Sequence, residues 1–211
     1  MGVAIVAPPV RETTATGRQR LPHRRQTLVV MVKEPRPGRV KTRLGRGIGM
    51  MGAAWWFRHQ ARALLRRLED PRWDLVLAVS PDAEGMASRV WPAHLPRIPQ
   101  GRGDLGHRMG WIFRALPPGP VVIVGADIPG IERRHVADAF AALGRAPSVI
   151  GPAPDGGYWL IGLRRTARPP ANLFDGVRWS TAHARADTEG TLPKPVAQVA
   201  TLRDVDTAAD L

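Results

Sequence analysis

Two segments of this chain carry the same apolar stripe, and short β-branched runs stand around them, which leaves few architectures open. Phe57, Ala61, Leu64, Leu65 and Leu68 lie at offsets 0, 4, 7, 8 and 11, and Leu105, Met109, Ile112, Phe113 and Leu116 repeat those offsets. Such spacing predicts an α-helix with one buried face in each segment. Asp104 stands where it can cap the second helix, and Pro117-Pro118-Gly119-Pro120 ends it. Thr27–Lys33, Leu75–Val79 and Val121–Gly125 (VVIVG) suit strands buried on both faces, the last being β-branched at four of five positions. Leu95–Pro99 reads as a short edge strand, and Ser148–Gly151, Tyr158–Leu163 and Val196–Leu202 as further strands. Helices are expected from Ser80-Pro81-Asp82 towards Val90 and over Glu132–Leu143. Strand and helix in alternation predict an α/β fold with a largely parallel sheet covered on both faces.

A chain of 211 residues fits one α/β domain, or at most two small ones. Residues 1–26, rich in Thr, Arg, Pro and Gln without a sustained period, read as a disordered basic N-terminal extension. With no cysteine, structural disulfides, thiolate metal sites and cysteine nucleophiles are excluded. Nothing approaches 18 consecutive apolar residues and the start lacks a secretory pattern, so no membrane span and a cytoplasmic location are expected. The net charge of +13 raises the question of nucleic acid. Its distribution answers it: the extension holds Arg11, Arg18, Arg20, Arg24 and Arg25 against Glu12 alone, and the remaining arginines are scattered. The tryptophans do not interleave with a basic stripe as a stacking platform requires. No specific nucleic-acid partner is expected, and non-enzymatic polyanion binding is the lesser alternative.

Only three of the 31 basic residues are lysine, and two of them, Lys33 and Lys41, fall in the loop directly after the first strand. That loop, Lys33-Glu-Pro-Arg-Pro-Gly38-Arg39-Val-Lys41-Thr-Arg43, combines compact ammonium charges with planar guanidinium forks. Such a mixture suits an oligophosphate, although a solvated basic turn is the plainer possibility. In open α/β sheets ligands sit beyond the carboxyl ends of the strands, and two more groups fall there. Gly125-Ala-Asp127-Ile-Pro129 follows the VVIVG strand, and an aspartate in that position can hold a hard cation such as Mg²⁺ or Mn²⁺, or merely cap a turn. Gly151-Pro-Ala-Pro-Asp155-Gly156-Gly157-Tyr158-Trp159 is either a tight Asp-Gly hairpin, a close approach to a ligand, or both.

Other matches carry less weight. Gly101-Arg-Gly103-Asp-Leu-Gly106 fits a dinucleotide fingerprint but lies mid-chain after a weak strand. The six histidines lack metal-ligand spacing, and neither Ser148 nor Ser180 sits in a nucleophile elbow.

Taken together, the Lys33–Leu44 loop, Gly103-Asp-Leu-Gly-His-Arg-Met109, Gly125–Gly130, Gly151–Gly162, Leu173-Phe174, Trp179-Ser180-Thr181 and the terminal Asp204-Val-Asp206…Asp210-Leu211 resemble a bacterial family. It is the DUF2064, or radical-SAM/selenodomain-associated, transferase family of the nucleotide-diphospho-sugar transferase (GT-A) superfamily. The resemblance covers about residues 27–211 and implies a single Rossmann-like GT-A domain, a three-layer sandwich with a mixed, mainly parallel sheet. It further implies a donor-phosphate site at Lys33, Gly38, Arg39, Lys41 and Arg43, with Asp104, Gly157 and Tyr158 also binding the donor. Trp179, Ser180 and Thr181 would close the acceptor half. Asp127 would be the metal-binding aspartate, with Asp155 or Asp206 supplying a second carboxylate, because Asp127-Ile-Pro is not the usual Asp-x-Asp pair. Asp127, Asp155 and Lys41 are the catalytic candidates. The implied activity is transfer from a nucleotide-activated donor to an unknown small acceptor, by glycosyl transfer or, alternatively, by nucleotidyl transfer with pyrophosphate release.

Overall fold

The computed structural model describes residues 25–211, so the expected extension lies outside the described residues except for its last two positions. Gln26, placed in that extension by sequence, opens the first strand, where its backbone pairs with Trp73. Seven strands, β1 (Gln26–Lys33), β2 (Trp73–Ser80), β3 (Arg97–Pro99), β4 (Val121–Gly125), β5 (Ser148–Pro152), β6 (Tyr158–Leu163) and β7 (Val196–Gln198), form one sheet in the order β3-β2-β1-β4-β6-β5-β7. All pairings are parallel except those made by β6, which runs antiparallel to both β4 and β5. This is a mixed, mainly parallel α/β sheet. The first half of the chain builds outward from β1 through β2 to the edge at β3. The chain then returns to the other side of β1 as β4, which creates a crevice where the order reverses.

Alternation along the strands sends side chains to two cores. Leu28, Val30 and Val32 of β1 join Leu77, Val79 and Val124 on one face. There they meet Phe57, Ala61, Leu64, Leu65 and Leu68 of α2 (Met50–Leu68), and Val136, Ala139 and Phe140 of α5 (Arg133–Leu143). Val29, Ile123 and Ile161 point to the opposite face and pack on Met109, Ile112 and Phe113 of α4 (Leu105–Ala115). Both repeated stripes therefore mark buried faces of helices on opposite sides of the sheet, except that Leu105 at the start of α4 is 44% exposed and Leu116 falls just past its end. Removing the fully buried Leu64 or Phe113 side chain would cost about 2–5 kcal/mol. No helix among the described residues is long and apolar enough to cross a membrane.

Several elements differ from the sequence reading. The helix after Pro81, α3 (Asp82–Ala87), stops short of Val90 because Ser88 is extended and its hydroxyl accepts the Val90 N–H. β7 ends at Gln198 rather than Leu202, since Ala200 turns its carbonyl to the Trp159 indole at 2.8 Å. Two short helices, α1 (Thr42–Ile48) and α6 (Ala184–Thr191), carry no apolar stripe and were not expected.

Candidate active site

The basic loop after β1 and the aspartate after β4 meet at the crevice between those strands. Lys41 Nζ lies 2.7 Å from Asp127 Oδ2 and 2.8 Å from Asp206 Oδ1, with only 7% of the lysine side chain exposed. Arg43 Nη1 reaches the other Asp206 oxygen at 3.0 Å. Burial alone would pull the Lys41 ammonium below its ordinary pKa, but Asp127 and Asp206 outweigh it and the net shift is upward. Asp206 is likewise penalised by burial, yet Lys41 and Arg43 hold it below the usual carboxylate range. Asp204 goes the other way: burial and its neighbour Asp206 push it up, although Lys41 opposes them.

Local backbone explains how three carboxylates come together. Lys41 sits in left-handed backbone (φ 45°, ψ 49°) at the entrance to α1, unusual for a side-chain-bearing residue and a place where strain is held by surrounding contacts. Gly125 leaves room for Asp127, whose Oδ1 would lie 2.8 Å from a β-carbon there. Beyond β7 the chain runs past the carboxyl end of β5, with the Val199 and Leu202 N–H groups donating to Ile150 and Pro152 carbonyls. The Val205 N–H donates to the Asp127 carbonyl at 3.3 Å, which delivers Asp204 and Asp206 to the β4 end. One carboxylate oxygen from each of Asp127, Asp204 and Asp206 lies within 4.8 Å of the others. A set of three carboxylate oxygens is hard-cation chemistry, suited to Mg²⁺ or Mn²⁺ rather than to softer metals. Asp204 was missed by sequence reading; its place two residues before Asp206 was the available signal.

These groups line a cavity of about 880 Å³ that lies along the carboxyl ends of β1 and β4. Lys33, Arg39, Lys41 and Arg43 form its basic wall; Asp127 and Asp206, with Asp204, its acidic floor; Asp155, Gly157, Tyr158, Trp179, Ser180 and Thr181 its far side. Two expected residues are not in the wall. Gly38 turns the loop at φ +73°. Asp104 caps α4 by accepting the His107 N–H at 2.8 Å, which holds its carboxyl below the ordinary range. Asp155 is exposed and accepts the Gly157 N–H at 2.9 Å across the β5–β6 turn, so the motif forms the expected hairpin and sets Asp155 at the edge of the cavity. Gly156 in the same turn has φ +85°, and a β-carbon there would run into the backbone of Ala182, so the turn seats directly under the Trp179–Ala182 segment. That segment is held from the other side by Arg178, which donates from Nε and Nη2 to the two oxygens of Asp187 at 2.8 and 2.9 Å. Tyr158 is partly buried and its phenol is pushed up by desolvation, with Thr188 near its oxygen at 3.4 Å.

Comparison with known proteins supports this arrangement at the level of fold and family. The family model DUF2064, described as an uncharacterized protein conserved in bacteria, matches residues 63–181. A crystal structure of a candidate nucleotide-diphospho-sugar transferase from Desulfovibrio desulfuricans G20 is 33% identical. The match covers 86% of this chain and 82% of that one, with a TM-score of 0.76. More distant structures share the fold. Rv0371c from Mycobacterium tuberculosis H37Rv in complex with manganese is 15% identical, with a TM-score of 0.55 over 89% of this chain and 96% of its own. A 4-diphosphocytidyl-2C-methyl-D-erythritol synthase from Anaerococcus prevotii DSM 20548 is 11% identical, with a TM-score of 0.53 over 89% and 92%. No protein of curated function matches by sequence.

Proposed function

The chain belongs to the DUF2064 family, and from that premise we propose that it is a transferase using a nucleotide-activated donor, in which a glycosyl group passes from a nucleotide-diphospho-sugar to a small acceptor. The observation that carries the reading is the meeting of Lys41 and Asp127 at the sheet's switch point, with further cations and carboxylates converging on the same cavity. Lys33, Arg39 and Arg43 neutralise the donor diphosphate and fix its direction. Asp127, Asp204 and Asp206 would hold a divalent cation, which when bound supplies charge neutralisation at the leaving phosphate. Preorganised cations aimed at the oxygen on which negative charge grows are usually the largest catalytic contribution in such transfers. Tyr158 and the Trp179–Thr181 segment bound the acceptor half, and Asp155 takes the acceptor's proton in this reading. The cation-holding candidates now include Asp204 beside Asp206, with Asp155 assigned to the acceptor.

A second reading is nucleotidyl transfer, in which pyrophosphate leaves a nucleoside triphosphate. It is favoured by the four cations, Lys33, Arg39, Lys41 and Arg43, that the loop directly after β1 brings to the cavity. Incubating the protein with nucleoside triphosphates or nucleotide sugars, Mg²⁺ or Mn²⁺, and phosphorylated or sugar acceptors separates the two. Released nucleoside diphosphate supports glycosyl transfer, and pyrophosphate supports nucleotidyl transfer. Asp127→Ala is expected to abolish the metal-dependent turnover while leaving the far-UV circular dichroism unchanged; turnover that survives this substitution refutes the site.

A further inference from the structure

Between Pro35 and Leu68 the sequence contains no Asp or Glu, while basic residues recur throughout. The structure turns that bias into a surface. α2 buries Phe57, Ala61, Leu64, Leu65 and Leu68, and its opposite face presents Met51, Trp55, Arg58, His59, Arg62 and Arg66 to solvent. Met51 is 73% and Trp55 64% exposed, the two most exposed large hydrophobic side chains of the helix, and Ile48 and Met50 stand beside them at the α1–α2 corner. Arg58, Arg62 and Arg66 have no ion pair or hydrogen bond among the described residues. Unlike Arg43 or Arg36, which pair with Asp206 and Glu84, they have no acidic neighbour to satisfy within the described fold.

We infer that this face of α2, with the α1–α2 corner, is a docking surface for an anionic lipid bilayer. Charge complementarity selects an anionic partner and excludes a second copy of the same face, which would set arginine against arginine. Apolar composition selects lipid among anionic partners. Met, Ile and Trp side chains gain by entering the headgroup boundary, whereas a phosphate backbone offers them nothing to bury against. The arginine ladder then lies about one to three turns beyond Trp55 along the helix, where it can reach lipid phosphates while Trp55 anchors the corner. His59 stacks on Trp55 with ring centroids 4.0 Å apart, which holds the indole on the exposed side. The inference does not depend on which group the site transfers.

The test is co-sedimentation of the full chain with phosphatidylglycerol/phosphatidylcholine vesicles, with pure phosphatidylcholine vesicles and a duplex DNA of random sequence as comparisons. The wild type is expected to bind anionic vesicles and not neutral ones. Arg58→Gln/Arg62→Gln should weaken vesicle binding about thirtyfold, from about fivefold per basic residue near an anionic surface. The charge-matched pair Arg114→Gln/Arg168→Gln, exposed on other elements, should weaken it severalfold less. Met51→Ser/Trp55→Ser, which leaves the charge unchanged, should remove the part of the binding that survives high salt. Residues 1–24 are present in every variant, so their own charge cancels from the comparison. Absence of wild-type binding, equal losses in the two arginine pairs, or an unchanged Met51→Ser/Trp55→Ser variant would each overturn the inference. So would weakened DNA binding with unaltered vesicle binding, which would reassign the face to nucleic acid.

Discussion

Lys41 is the residue on which the cavity's electrostatics turn. It is buried between Asp127 and Asp206, and the nearby Asp204 is pushed towards its neutral form. Replacing it by methionine would leave three close carboxylates with their principal counter-charge gone. Because both partner aspartates are about one third exposed, the loss is discounted from that of a fully buried pair, to about 1–2 kcal/mol. Lys41→Met is therefore expected to melt a few degrees lower in chelator and to regain most of that loss in millimolar Mg²⁺ or Mn²⁺. Failure of either cation to restore the melting temperature would count against the three aspartates as a cation site. Asp187 shows the opposite sign of behaviour at a simpler place. Hydrogen bonds from Arg178 lower its pKa to about 2, against an ordinary 3.8. A carboxylate depressed in the folded state stabilises it above the unfolded value and stops doing so as pH falls through the folded one. Its contribution should thus be intact above pH 4 and vanish between about pH 4 and pH 2. Melting temperatures of wild type and Asp187→Asn should differ at pH 6 and converge near pH 2, and a difference that is constant across this range would contradict the assignment.

At the scale of elements, the β5–β6 hairpin carries the tightest steric constraint near the cavity. Gly156 combines a left-handed φ of +85° with a backbone neighbour, Ala182, where a β-carbon would go. Gly156→Ala is expected to cost about 2–4 kcal/mol in urea denaturation, as strained backbone and overlap add; a cost under about 0.5 kcal/mol would show that the Trp179–Ala182 segment yields freely. How much was legible in sequence differs by element for the same kind of reason. α2, α4, β1 and β4 could be read because burial imposes a period on them, and their residues obey it. α6 buries only Ala184 and Thr188, so its sequence carries no stripe, and its role is to offer Asp187 to Arg178. The site followed the same pattern. Residues attached to strand ends, Lys33, Asp127 and Asp155, were visible from their positions after strands. Asp204 was not, because it rides on an irregular segment steered by backbone hydrogen bonds to Ile150, Pro152 and Asp127 that no periodicity encodes.

For the molecule as a whole, the reversal of strand order between β1 and β4 makes one cavity from segments distant along the chain. A nucleotide or nucleotide sugar that binds only this assembled cavity should raise overall stability by about 2.7 kcal/mol at 100 times its dissociation constant, or roughly 5–11 °C in a thermal-shift measurement. Removing residues 1–24 should leave that shift unaltered, and a shift absent for every nucleotide tried, with and without divalent cation, would remove the basis for the transferase reading. The ion pair between Lys41 and Asp206 spans 165 positions. At about 5–20 residues per second of synthesis, Lys41 exists for roughly ten to thirty seconds before Asp206 has been made. During that interval β1, β2 and β4 can already pair, while the cation at the crevice has only Asp127 to face. The growing chain therefore passes through a stage with a nearly complete sheet and a half-built, positively biased pocket, and the charge balance of the mature crevice is among the last things translation supplies.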